Sequence, residues 1–144
     1  MANRSPGGAG GTRDAPRVDG LLEKKLELLR AVLETTRQEL LLVDLDGLGP
    51  LLERKERLIA EVDAVDAALA GLDAAAVEQG RRQTRDELER IVVAVLDNEG
   101  TLAARLDAER ERLRQDLREL ERETRLRGYL ESQQPGGRKV DVKQ

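Results

Sequence analysis

The sequence predicts an all-α protein, an antiparallel helical bundle or coiled coil of about three helices with the third long and projecting. Three observations predict it. The chain is 39% hydrophobic and 38% charged, and its apolar residues are almost all Leu, Ala and Val, a mixture that favours helix with Glu and Arg and sheet only weakly. Leucines and valines recur at alternating spacings of four and three, the mark of one helical stripe. Gly- and Pro-bearing breaks then divide these runs into three. The 144 residues suffice for one modest domain.

Residues 1–17 are rich in Gly, Pro and Arg without periodicity and predict an unstructured arm. The first helix is expected to open near Asp19. Leu22, Leu26, Leu29, Leu33, Leu40 and Val43 form its stripe, with Thr36 in the remaining slot. Leu21, Leu28, Leu41 and Leu42 widen that stripe beyond a two-stranded seam, which predicts a bundle. DLDGLGP ends the helix, because Gly47 and Gly49 are poor interior residues and Pro50 suits a first helical turn.

A second run carries Leu51, Leu58, Val62, Val65, Leu69 and Leu72, with Lys55 occupying a seam slot. Glu53 and Arg57 have the spacing of an i,i+4 pair. GLDAAAVEQGRRQT reads as a loop, and Thr84 with Glu87 has the spacing of a capping box for the third helix. That helix is expected from about Arg85 to Leu130, with Gly100 as its weak point. The domain organisation is therefore an arm at 1–17, a helical domain at 18–130 and a flexible tail at 131–144.

At 1.5 Å per residue the first two helices would measure about 40 and 30 Å and the third about 70 Å. The shorter two would then cover only part of the third. Its C-terminal half bears eight arginines and seven acids between Arg105 and Arg127, and through them runs a thin stripe of Leu106, Leu113, Leu117 and Leu120, continuing towards Leu130. Each leucine left in water forgoes roughly 1.5–3 kcal/mol of burial. A partner is expected, either a coiled-coil seam within the chain or in a homodimer of the unliganded protein, or an amphipathic helix from another protein. Asn98 and Glu109 lie near the phase of the stripe, as register-setting or rim residues.

Composition also excludes. The chain has no Cys, His, Trp or Phe, and one aromatic residue, Tyr129. Disulfides, thiolate metal sites, imidazole bases and His-ligated metals are ruled out. Glu109 and Asp116 share a face without a third ligand, and the glycines at 7, 8, 10 and 11 lack the Lys-Ser/Thr of a phosphate loop. No catalytic residue, metal or cofactor is expected, and the protein reads as a binding protein, not an enzyme. A net charge of −4 offers no basic field for nucleic acid. The longest apolar runs, LLLV and IVVAVL, fall far short of the ~20 residues of a bilayer span. With no apolar leader, a cytoplasmic location is expected.

The order LLLVDLDGLGPLLERKERLIAEVDAVDAAL, VLDNEGTLAARLDAE and a Tyr-containing tail resembles FlgN-type flagellar export chaperones. Asp44, Leu48, Leu52, Lys55 and Leu58 match that family's D-x-x-x-L…L-x-x-K-x-x-L run. Its N-x-x-N pair is half met, by Asn98 alone. The tail, Tyr129 followed by a linker and GRKVDV, resembles the family's ending. The resemblance spans about Leu21 to Val142 and implies a cytoplasmic chaperone for hook-associated proteins of the FlgK and FlgL type. Carried over by position, Leu106, Leu113, Leu117 and Leu120 become the client-binding face, and Tyr129 the contact with an export gate protein of the FlhA type. The competing expectation is a structural coiled-coil scaffold or self-associating adaptor, in which the same leucines join copies of the chain.

Overall fold

The computed structural model describes residues 6–133, with side chains from Arg13 onward. The described residues form helices and short turns without a strand, as their periodicity predicts. Helix α1 spans Pro6–Leu41, a 3-10 turn spans Leu45–Gly47, α2 spans Leu48–Ala70 and α3 spans Ala74–Gln133. The third helix is the longest, at 60 residues against 36 and 23, and it runs unbroken through Gly100. A boundary between two compact units falls after Leu102.

Within the first unit the helices run up, down and up. Lys25 on α1 meets Asp66 on α2 at 2.8 Å, and Glu39 meets Lys55 at 2.8 Å, so sequence numbers rise on one helix as they fall on the other. Arg30 pairs instead with Glu87 and Thr36 with Asn98, which makes α1 and α3 parallel. Two apolar clusters fill the space between them. Val18, Leu22, Leu28, Val62, Val65, Leu69 and Val77 form one, and Leu26, Leu33 and Ile91 form the other. The expected stripes of α1 and α2 supply most of both. Val43 does not join them; it follows the end of α1 and is 97% exposed.

The first helix opens at Pro6, earlier than Asp19, so the arm expected to be unstructured through Arg17 is helical from there. Proline suits a first helical position, where its missing N–H costs nothing. Tertiary contacts hold the following turns against the poor propensity of Gly and of Pro16. The Asp14 carboxylate accepts a hydrogen bond from the Asp73 backbone N–H at 2.8 Å, and Val18 is completely buried. Residues 1–5 lie outside the described residues.

The break between α1 and α2 forms where expected. Asp44 caps the 3-10 turn, its carboxylate accepting from the Asp46 N–H at 2.9 Å. The second break is shorter than expected. Helix α3 starts at Ala74, so most of GLDAAAVEQGRRQT is helical. Its capping residue is Asp73, whose carboxylate accepts from the Ala76 N–H at 3.0 Å, where a polar side chain satisfies a donor that the first turn leaves free. Thr84 caps nothing; its hydroxyl donates back to the Gly80 carbonyl at 3.2 Å within the helix.

Gly80 accounts for the difference. It is buried, and a Cβ built on it would come within 2.6 Å of Leu22 Cδ1 and 2.9 Å of Val18 Cγ1. The residue is glycine so that α3 can close on α1, not so that the chain can turn. At the other end α3 continues to Gln133, three residues beyond Leu130, and the remaining tail, with Arg138, Lys139 and Val142, lies outside the described residues.

Candidate functional site

Two constellations stand out, a buried polar knot in the first unit and an uncovered leucine ridge in the second. The knot centres on Lys55, the charged residue in the α2 seam. Its ammonium donates to Glu39 Oε1 and Oε2 at 2.8 and 3.1 Å and to Glu99 Oε1 at 2.7 Å. All three helices contribute to it. Glu39 is wholly buried, so the pair sits where an unpaired charge would be costly. Burial pushes the Lys55 ammonium down, but its hydrogen bonds to Glu39 and Glu99 and their negative charges outweigh that, and its pKa is raised.

One turn away the buried Thr36 donates to the Leu33 carbonyl at 2.6 Å and accepts from Asn98 Nδ2 at 3.0 Å. Asn98 is therefore an interhelical register contact between α1 and α3. No buried side-chain nitrogen or oxygen among the described residues lacks a partner. The knot is a satisfied set of bonds.

The ridge lies on the part of α3 beyond Leu102. From Leu106 onward every described residue except Glu109 is exposed. Leu113, Leu117 and Leu120 are 55%, 59% and 58% exposed, and Leu106 is 36% exposed. A helix advances about 100° per residue, which places these four leucines and Thr124 within a sector of roughly 60°. Leu117, Leu120, Glu121, Thr124 and Arg125 line a groove open to solvent.

Tyr129 lies elsewhere. It is 60% exposed and flanked by the exposed Leu126 and Leu130. The same rotation turns Tyr129 about 140° away from Leu106, and Leu130 about 120° away in the opposite sense. The stripe thus does not continue to Leu130, contrary to the expectation, because the spacing from Leu120 to Leu130 is ten residues and not a multiple of the helical repeat. Tyr129 belongs to a separate apolar patch at the end of the helix. Its carbonyl accepts from the Ser132 hydroxyl at 2.8 Å.

Charged residues along the ridge pair locally. Arg112 meets Glu109 at 2.8 Å and Arg114 meets Glu111 at 3.8 Å, each across three residues. The i,i+4 pair expected at Glu53–Arg57 is not among the ion pairs of the described residues, and neither are Glu121–Arg125 and Glu123–Arg127, which have the same spacing. Exposed pairs of this kind are worth only about 0–1 kcal/mol, so spacing alone does not fix which of them form.

Compared with family models, curated proteins and solved structures, the chain matches none. The ridge is therefore interpreted on its own chemistry. Among the described residues no group of three or more acidic side chains is placed to hold a metal ion. Among the described residues no helix is long and apolar enough to cross a membrane. What the ridge can do is bind: a narrow row of leucines with charged edges accepts the apolar face of another helix. Sequence patterning found the ridge and missed the knot, although Lys55 and Thr36 in seam slots were its signal.

Proposed function

We propose that the protein is an export chaperone of the FlgN type, which holds the C-terminal helical segments of hook-associated proteins of the FlgK and FlgL kind and delivers them to the flagellar export apparatus. The single observation that carries this reading is the uncovered ridge of Leu106, Leu113, Leu117 and Leu120. Together these side chains leave several kcal/mol of burial unrealised at roughly 1.5–3 kcal/mol per leucine. A client helix that is disordered alone recovers that free energy and offsets its ordering cost on docking.

In this reading the ridge takes the client and Tyr129 contacts an export gate protein of the FlhA type. The role is binding rather than catalysis, and it is exercised in the cytoplasm. The resemblance in the order of LLERKERL, Asn98 and the Tyr-bearing tail supports the same assignment. The experiment is calorimetric titration of the full chain with a C-terminal fragment of a hook-associated protein. Binding that is lost on Leu113→Asp/Leu117→Asp, with helicity retained, is the expected result; no heat and no change in sedimentation would end the proposal. The rival reading, a coiled-coil scaffold, predicts that the same double change instead dissolves a self-associated species seen by analytical ultracentrifugation.

A further inference from the structure

The two edges of the leucine ridge are chemically unlike. Glu109, Asp116 and Glu123 are spaced by seven, so about two turns separate each from the next and all three fall along one side of the leucines. Glu109 is held by Arg112 at 2.8 Å. Asp116 and Glu123 are exposed and have no ion-pair partner among the described residues. The other side carries Arg110 and Arg114 with Glu121 between them in phase. The row bordering one edge of the leucines is acidic from Glu109 to Glu123 and partly unneutralised, with Arg105 and Arg112 behind it and Arg127 beyond its end, and the other edge is mixed.

This asymmetry bears on what can lie along the ridge. A second copy packed antiparallel would set the acidic flank against its own counterpart, acid facing acid along the seam. A second copy packed parallel and in register would stack the two Arg110 side chains on each other and place Asp116 beside Glu121 of the other copy, against one opposite pair, Glu109 with Arg114. Both arrangements juxtapose like charges, which cost about as much as the opposite pairs gain. The chain is a poor match for itself along this face.

We propose that the ridge is built for an amphipathic helix of another protein that carries lysine or arginine along one side of its apolar stripe. The inference rests on the reading of the ridge as a client surface, and it adds the charge chemistry of the client. The leucines supply the burial. The row Glu109, Asp116, Glu123 selects the helix and its orientation, because only one direction and register brings the client's basic row beside it. Arg110, in phase with the leucines, repels a client base placed opposite it and so disfavours a register that sets the basic row on the seam.

The test uses the full chain and two synthetic helical peptides of equal length with the same leucine seam, one with lysine at the seam-flanking positions and one with glutamate. The lysine-edged peptide is expected to bind about tenfold tighter in calorimetry at low salt, with the gap narrowing at high salt. Asp116→Lys/Glu123→Lys should reverse the order, while Glu111→Lys/Glu119→Lys, an equal change of net charge on other faces of the helix, should leave it. Leu113→Asp/Leu117→Asp should abolish binding of both peptides. Equal affinities, an order indifferent to Asp116 and Glu123, a reversal produced equally by the control pair, binding that survives loss of the leucines, or no binding by either peptide would each overturn the inference. A hook-associated fragment that binds while the peptides show no preference removes the charge selection and leaves the chaperone reading standing. A lysine-edged peptide that binds where the fragment does not has the opposite consequence.

Discussion

Lys55 on α2 donates to both carboxylate oxygens of the wholly buried Glu39 on α1, at 2.8 and 3.1 Å. Removing one member strands the other. Lys55→Met should lower stability by about 3 kcal/mol, because Glu39 would remain buried with its charge uncompensated. The double variant Glu39→Leu/Lys55→Met should recover most of that loss, since apolar side chains of similar volume often replace a buried pair without cost. Urea unfolding followed by circular dichroism measures both, and a single variant within 1 kcal/mol of the parent, at a site where about 3 is expected, would show that the knot contributes little.

The same ammonium sets a pH dependence. Its folded pKa is raised above the ordinary value of 10.5, so its contribution is fully present below that value and is lost as the pH rises through the higher folded one. The stability gap between the parent and Lys55→Met should therefore narrow above pH 10.5. Urea midpoints taken at neutral and strongly alkaline pH provide the comparison. A gap that stays constant would contradict the linkage.

Two glycines of one helix should respond with opposite sign. At Gly100 a Cβ meets nothing within 4 Å, so Gly100→Ala should stabilise by roughly 0.5–1 kcal/mol through helix propensity alone. At Gly80 the same atom would strike Leu22 and Val18. Gly80→Val should destabilise by about 1–3 kcal/mol as the α1–α3 contact is forced apart. Thermal melts of the two variants decide it; a Gly80→Val protein as stable as the parent would mean that α3 does not pack on α1 at this point.

Asp73 begins α3, and Asp14 holds the Asp73 N–H from across the bundle. Asp73→Ala should cost about 1 kcal/mol in urea unfolding, the usual worth of such a cap. A variant that unfolds at the parent's midpoint would place the start of the helix elsewhere.

Leu113 and Tyr129 lie on different sides of α3, which makes their proposed roles separable. Tyr129→Ala should leave the affinity for a hook-associated fragment within about twofold and weaken capture by the export gate protein about tenfold or more, as loss of an interface aromatic does. Leu113→Asp/Leu117→Asp should do the reverse. Pull-down and calorimetry with each partner distinguish these outcomes, and a Tyr129→Ala protein deficient in both would merge the two surfaces.

Periodicity made most of this architecture legible. Leu22, Leu26 and Leu33 on α1 and Val62, Val65 and Leu69 on α2 were placed in the core by spacing alone, because a narrow stripe on a helix has one way to be buried. The start of α3 was not legible in the same way. Gly80 and the polar residues around it have the composition of a loop, and only the approach of Val18 and Leu22 reveals that the glycine serves packing. The α1 extension to Pro6 was hidden for a related reason: its holding contacts, Asp14 with Asp73 and Val18 beside Gly80, join residues about sixty positions apart. For the candidate site, the leucine row was visible from spacing. The turn that carries Leu126, Tyr129 and Leu130 away from it emerges only when helical phase is followed residue by residue.

On the proposed chaperone reading, that divergence of phase has a consequence for how a client would be passed on. With the leucines claimed by cargo, Tyr129 still looks outward, so a receptor could grip the loaded carrier before the passenger leaves. Delivery could then proceed as a hand-over through a three-membered complex, with no interval in which the passenger is adrift.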